Sequence, residues 1–123
     1  NGIRYNVVDM TSPGNGTVGS PLGDLVLKNE IAHAGAACEM MTAIGTCDSI
    51  WVVSHSSGNN SFIITLVTED GVQATTTQVI GPSVTGNGRR GSIAANVQGT
   101  RIAIAGAWPT GVWVFDFYNG VQL

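Results

Sequence analysis

Two histidines, two cysteines and eight carboxylates are the residues with which this 123-residue chain could do chemistry. His33 and His55 have no second His or Cys at the tight spacing of a local metal site, so no metal centre is expected. Gly14-Asn15-Gly16 and Gly86-Asn87-Gly88 are glycine-rich, yet neither opens a helix, which a phosphate cradle requires. Catalysis by Asp48, Glu69 or Asp70 would need partners that the pattern does not supply, and no nucleophile elbow, Walker-type loop or dinucleotide fingerprint is present. Neither a catalytic role nor a cofactor is expected.

The cysteines are read in the same way. Cys38 and Cys47 flank an apolar stretch at 39–44, and if that stretch is extended its ~3.3 Å rise per residue holds the sulfurs beyond bridging distance. Two unpaired thiols are the expectation, with pairing to other parts of a longer chain the alternative.

Those residues must be positioned by strands. Only 11% of the chain is charged, about half the usual share, and its 17 glycines are roughly twice the usual frequency. Short runs rich in Val, Ile, Thr and aromatics, bounded by Gly, Asn, Asp and Ser, predict strands over 4–9, 24–28, 39–44, 50–55, 61–68, 74–80, 91–96, 101–105 and 112–117. The helix-friendly stretch 30–42 has no sustained i, i+3, i+4 stripe, so no helix is expected there. The formal charge of −3 gives no basic stripe for nucleic acid, and no apolar run approaches the ~20 residues of a membrane span. An opening Asn1-Gly2 is expected of a processed chain or of a piece of a longer one.

The strands repeat. At an offset of 51, Trp51-Val52-Val53-Ser54 falls on Ile102-Ala103-Ile104-Ala105, Phe62-Ile63-Ile64-Thr65-Leu66 falls on Trp113-Val114-Phe115-Asp116-Phe117, and the six-residue linkers between them coincide. A period near 50 in short strands predicts an all-β fold of four-stranded antiparallel propeller blades. Residues 1–38 would end one blade, 39–80 form a complete blade and 81–123 form most of the next, slightly more than two blades of a larger ring.

Blade topology places the loops at 33–38, 55–60, 82–90 and 106–111 on one face, with short hairpin turns on the other. The long loops gather His55, Asn59, Asn60, Arg89, Arg90 and Trp108, which become the candidate ligand-binding residues. The opposite turns are expected to be too short to make a pocket.

Asp48-Ser49-Ile50-Trp51-Val52-Val53-Ser54-His55, then Ser61 through Thr68 and Gly71-Val72, resembles a segment common in large secreted proteins of gliding and related Bacteroidetes. Val8-Asp9-Met10 with Gly14-Asn15-Gly16 and Leu27-Lys28-Asn29 resembles that family's preceding strand, and Arg101 through Phe117 its next blade. The chain departs from the family where a Ser-Pro-Asp-Gly turn is usual and Asn96-Val97-Gln98-Gly99 stands instead. The resemblance implies a non-enzymatic surface β-propeller of an adhesin-like protein, exported by type IX secretion, partnered by the remaining blades and by a surface glycan or protein. It also makes Ser49, in Asp48-Ser49-Ile50, a candidate for bacterial O-glycosylation, against the equally short Asn15 and Asn59 sequons. The alternatives are a fragment of a secreted propeller enzyme acting on polysaccharide and a purely structural spacer.

Overall fold

The structure, a computed structural model, describes residues 2–107 and 110–118. Strands β1 (Ile3–Asp9) and β2 (Asp24–His33) form sheet 1; β3 (Ala37–Gly45), β4 (Ser49–Ser56), β5 (Ser61–Thr68) and β6 (Gly71–Val79) form sheet 2; β7 (Ser92–Ala95), β8 (Arg101–Ala107) and β9 (Thr110–Asp116) form sheet 3. Neighbours pair antiparallel in chain order. Among the described residues the one helical element is a 3-10 turn, Gly86–Arg89. Sheet 2 is the four-stranded antiparallel meander expected over 39–80, and the helix-friendly stretch is shared between the end of β2 and β3.

Side-chain alternation explains which surfaces are buried. In β3 the residues Cys38, Met40 and Ile44 are buried while Glu39, Met41 and Ala43 are exposed, the period of a strand with one covered face. β5 differs: Phe62, Ile63 and Ile64 are at most 1% exposed, so this inner strand is covered on both faces. β6 closes sheet 2 with exposed Gln73, Thr76 and Thr77, a polar edge that discourages further pairing.

Pairing fixes which residues share a face, because directly opposed residues of an antiparallel pair point the same way. Ile44↔Trp51, Trp51↔Leu66, Val53↔Ile64 and His55↔Phe62 put Ile44, Trp51, Val53, Phe62 and Ile64 on one face of sheet 2. Ile93↔Ile104, Ile102↔Phe115 and Ile104↔Trp113 put Ile93, Ile102, Ile104 and Phe115 on one face of sheet 3. These two faces meet. Phe62 lies edge-on to Phe115 with centroids 5.2 Å apart, Trp51 lies edge-on to Phe117 at 6.4 Å, and Val53, Phe62, Ile64, Ile93, Ile102 and Ile104 belong to one buried cluster. Each fully buried side chain of this size contributes ~1.5–3 kcal/mol of transfer free energy.

The repeat holds in the first hairpin and slips in the second: at an offset of 51, Met41↔Ser54, Thr42↔Val53, Ala43↔Val52 and Ile44↔Trp51 fall on the observed pairs Ser92↔Ala105, Ile93↔Ile104, Ala94↔Ala103 and Ala95↔Ile102, whereas Trp51↔Leu66 falls on Ile102 and Phe117, which do not pair. The offset of 51 superposes Trp51 on Ile102 and Val53 on Ile104, residues of the two surfaces that face each other across the interface. A one-residue slip turns every side chain to the other face. Shifting β4 and β5 by 50 restores the pairing of the second hairpin, since Trp51↔Leu66 becomes Arg101↔Asp116 and His55↔Phe62 becomes Ala105↔Val112, all observed pairs. The turns differ as well: Thr46 N donates to Ser49 O across the β3–β4 turn, whereas the β7–β8 turn closes two residues wider, with Asn96 N donating to Arg101 O. Asn96 Oδ1 accepts from the backbone of Thr100 and Arg101, which stabilises the longer turn.

Two glycines permit the close packing. Gly99 has φ 66°, and a Cβ there would stand 2.6 Å from Ile44 Cγ2; Gly81 has φ 82°, and a Cβ would stand 2.7 Å from Phe115 Cζ. Sheet 1 lies on the other side of sheet 2, with β2 packed beside β6 and the start of β1 across from β3. Its pairing is irregular, with register shifts along β1 and Asn29 at φ 62°. Asn6 Oδ1 accepts from Asn29 N, and Arg4 Nη1 donates to Asn29 O, which holds the left-handed residue in place.

Candidate functional site

Three of the four long loops converge through backbone hydrogen bonds. Ser57 N donates to Ala36 O, Gly58 N to Val84 O, Val84 N to Asn59 O and Ile80 N to Asn60 O, tying the connections after β2, β4 and β6 into one surface. The two β8–β9 residues Trp108 and Pro109 lie outside the described residues, so the candidate Trp108 has no structural placement here.

The candidates on the convergent loops divide. His55 is 1% exposed, stacks edge-on against Phe62 at 4.9 Å and donates from Nδ1 to Ser56 O at 2.7 Å. Burial lowers its pKa, with the Ser56 bond opposing, so the ring stays neutral. It supports the loop from beneath and is removed from the ligand-contacting set. Asn59 is exposed, with Oδ1 accepting from Ser61 N at 2.9 Å, and Asn60 is half-buried. Arg89, at the end of the 3-10 turn, and Arg90, just after it, are both exposed.

Arg89 leads into a cleft of ≈480 Å³ between the start of β1 and β3, whose walls include Arg4, Cys38, Glu39, Met41 and Ser57. Burial pushes the Cys38 thiol pKa up, with the Arg89 charge opposing. Ser57 Oγ is buried without a hydrogen-bond partner among the described residues. Other interior hydroxyls are satisfied: Ser54 Oγ donates to Met40 O, Ser56 Oγ to Ala36 O, and Thr65 and Thr75 hydroxyls bond each other. Sequence reasoning missed Ser57, because nothing in Ser56-Ser57-Gly58 tells which hydroxyl is left without a partner.

The turn face is not as flat as its short loops led us to expect. A hollow of ≈740 Å³ opens beside Cys47, Asp48, Glu69, Asp70 and Gln73, larger than the loop-face cleft. Its carboxylates form no group fit to hold a metal ion among the described residues. Ser49 stands at the edge of this face, half-buried, with Oγ 2.7 Å from Thr46 Oγ1, so modification there would remove its proton and leave it only an acceptor for the Thr46 hydroxyl. Cys38 is buried, Cys47 is exposed, and both are free thiols, as the extended 39–44 stretch predicts.

Compared with family models, curated proteins and solved structures, the chain matches none.

Proposed function

We propose that the chain is part of a β-propeller that serves as a binding or structural module of a secreted, cell-surface adhesin-like protein, with a glycan or protein ligand on its loop face. The observation that carries the reading is the 50-residue relation between the second hairpins of sheets 2 and 3, by which Trp51↔Leu66 and Arg101↔Asp116 occupy like positions in successive sheets. Successive meanders repeating in phase are the building plan of propeller blades. The joined loops support the binding half, since a rigid sheet holding several connections together is where recognition residues concentrate. Resemblance to exported Bacteroidetes surface proteins supports the location and the type IX route. The test is a panel of surface glycans and surface proteins offered to the full-length ring: the reading expects Arg89→Ala/Arg90→Ala and Trp108→Ala each to weaken the bound member, and unchanged affinity in both with the fold intact would refute the loop-face placement.

A further inference from the structure

Charge is distributed unevenly around the β1–β3 cleft. Two of the five basic residues, Arg4 and Arg89, line it against one of the eight acids, Glu39, in a chain whose formal charge is −3. Arg4 donates to Asn29 O, whereas Arg101 is occupied by Asp116 at 2.9 Å. Arg89 forms no ion pair among the described residues. The same wall holds Ser57, whose hydroxyl has no partner. A buried polar group left unmatched costs ~1–3 kcal/mol, a cost removed by an acceptor entering the cleft.

We propose that this cleft binds a small carboxylate of monosaccharide size, held by the Arg89 guanidinium and the Ser57 hydroxyl; this rests on the binding-module reading above. A guanidinium offers a planar fork that matches a carboxylate's two oxygens, and Ser57 adds a neutral donor. Glu39 on the wall selects for a single negative charge, because a dianion would meet more repulsion there. The volume of ≈480 Å³ lies within the ~300–1,000 Å³ of small-molecule sites.

The experiment is calorimetric titration of the full chain with glucuronate, with glucose and inorganic phosphate as comparators, at low ionic strength so that the charge is not screened. Glucuronate is expected to bind, with glucose at least about tenfold weaker and phosphate weaker than glucuronate. Arg89→Gln should weaken glucuronate by about tenfold or more and Arg89→Lys by less, since Lys keeps the charge and loses the fork. Ser57→Ala should also weaken it about tenfold, an effect that a merely structural hydroxyl would not show. Arg89 is exposed, so its variants retain the fold. Equal binding of glucose, or tighter binding of phosphate, would overturn the carboxylate assignment while leaving the binding-module reading in place. Absence of glucuronate binding, or affinity indifferent to Arg89→Gln, would overturn the site.

Discussion

Phe62 of β5 and Phe115 of β9 meet edge to face across the interface between sheets 2 and 3, their ring planes 72° apart. Phe62 is fully buried, whereas Phe115 is half-buried and touches Gly81. Phe62→Ala should cost ~3–5 kcal/mol and Phe115→Ala somewhat less. A double-mutant cycle in urea should return a coupling of ~0.5–1.5 kcal/mol, and additive losses would mean that the rings merely share a cavity.

Gly99 should tolerate no side chain. Its φ of 66° and the 2.6 Å approach to Ile44 Cγ2 predict that Gly99→Ala lowers stability by ~1–2 kcal/mol. Gly45 is the control: a Cβ there meets nothing within 4 Å, so Gly45→Ala should change stability by no more than ~0.5 kcal/mol. Equal thermal midpoints for the two variants would contradict the packing at Ile44.

His55 predicts a pH dependence. Its folded-state pKa lies below the ordinary 6.5 because burial disfavours the imidazolium, so the unfolded chain takes up a proton that the folded chain resists. Its contribution is intact above about pH 6.5 and is lost as the pH falls below that value toward the folded-state pKa. Asp9 acts in a lower window, since the Thr11 and Ser12 bonds hold its pKa below 3.8 and its contribution is lost only as the pH falls beneath that. Urea midpoints at about pH 7.5 and 5 should therefore drop in the parent chain and drop less in His55→Gln.

The thiols should be distinguishable by alkylation. Cys47 is exposed, and Cys38 is buried with a raised pKa. Iodoacetamide on the native chain should add one label, at Cys47, and on the chain in urea two. Prompt double labelling of native protein would show that β3 opens readily.

The strands were legible because the period-2 pattern is strong where burial is one-sided, as in Cys38, Met40 and Ile44 against Glu39, Met41 and Ala43. Phase in the second hairpin was not. Val52-Val53 and Ala103-Ile104 are apolar on both faces, so a slip of one residue leaves the hydrophobic match nearly unchanged, and only pairing and ring contacts resolve it. His55 at the end of a strand reads as a structural side chain donating to a loop carbonyl as well as a candidate ligand contact, and only its contact with Phe62 and its burial decide between the two. Of the candidate site, Arg89 was legible from its loop, while Ser57 and the β1 wall of the cleft depend on contacts between distant segments.

The Arg101–Asp116 pair sits where Trp51 and Leu66 sit one sheet earlier, and its side chains are 66% and 51% exposed. Val112 and Val114, at the loop end of the same outward face, are bare hydrocarbon, 68% and 62% exposed. That face is thus oily at one end and hydrated at the other. A neighbour that laid aliphatic groups over the whole of it would have to strip water from both charges, at a cost of several kcal/mol per ion. A neighbour oriented with its own polar rim at the turn end avoids that loss, so the gradient along β9 selects which way up a covering sheet can lie.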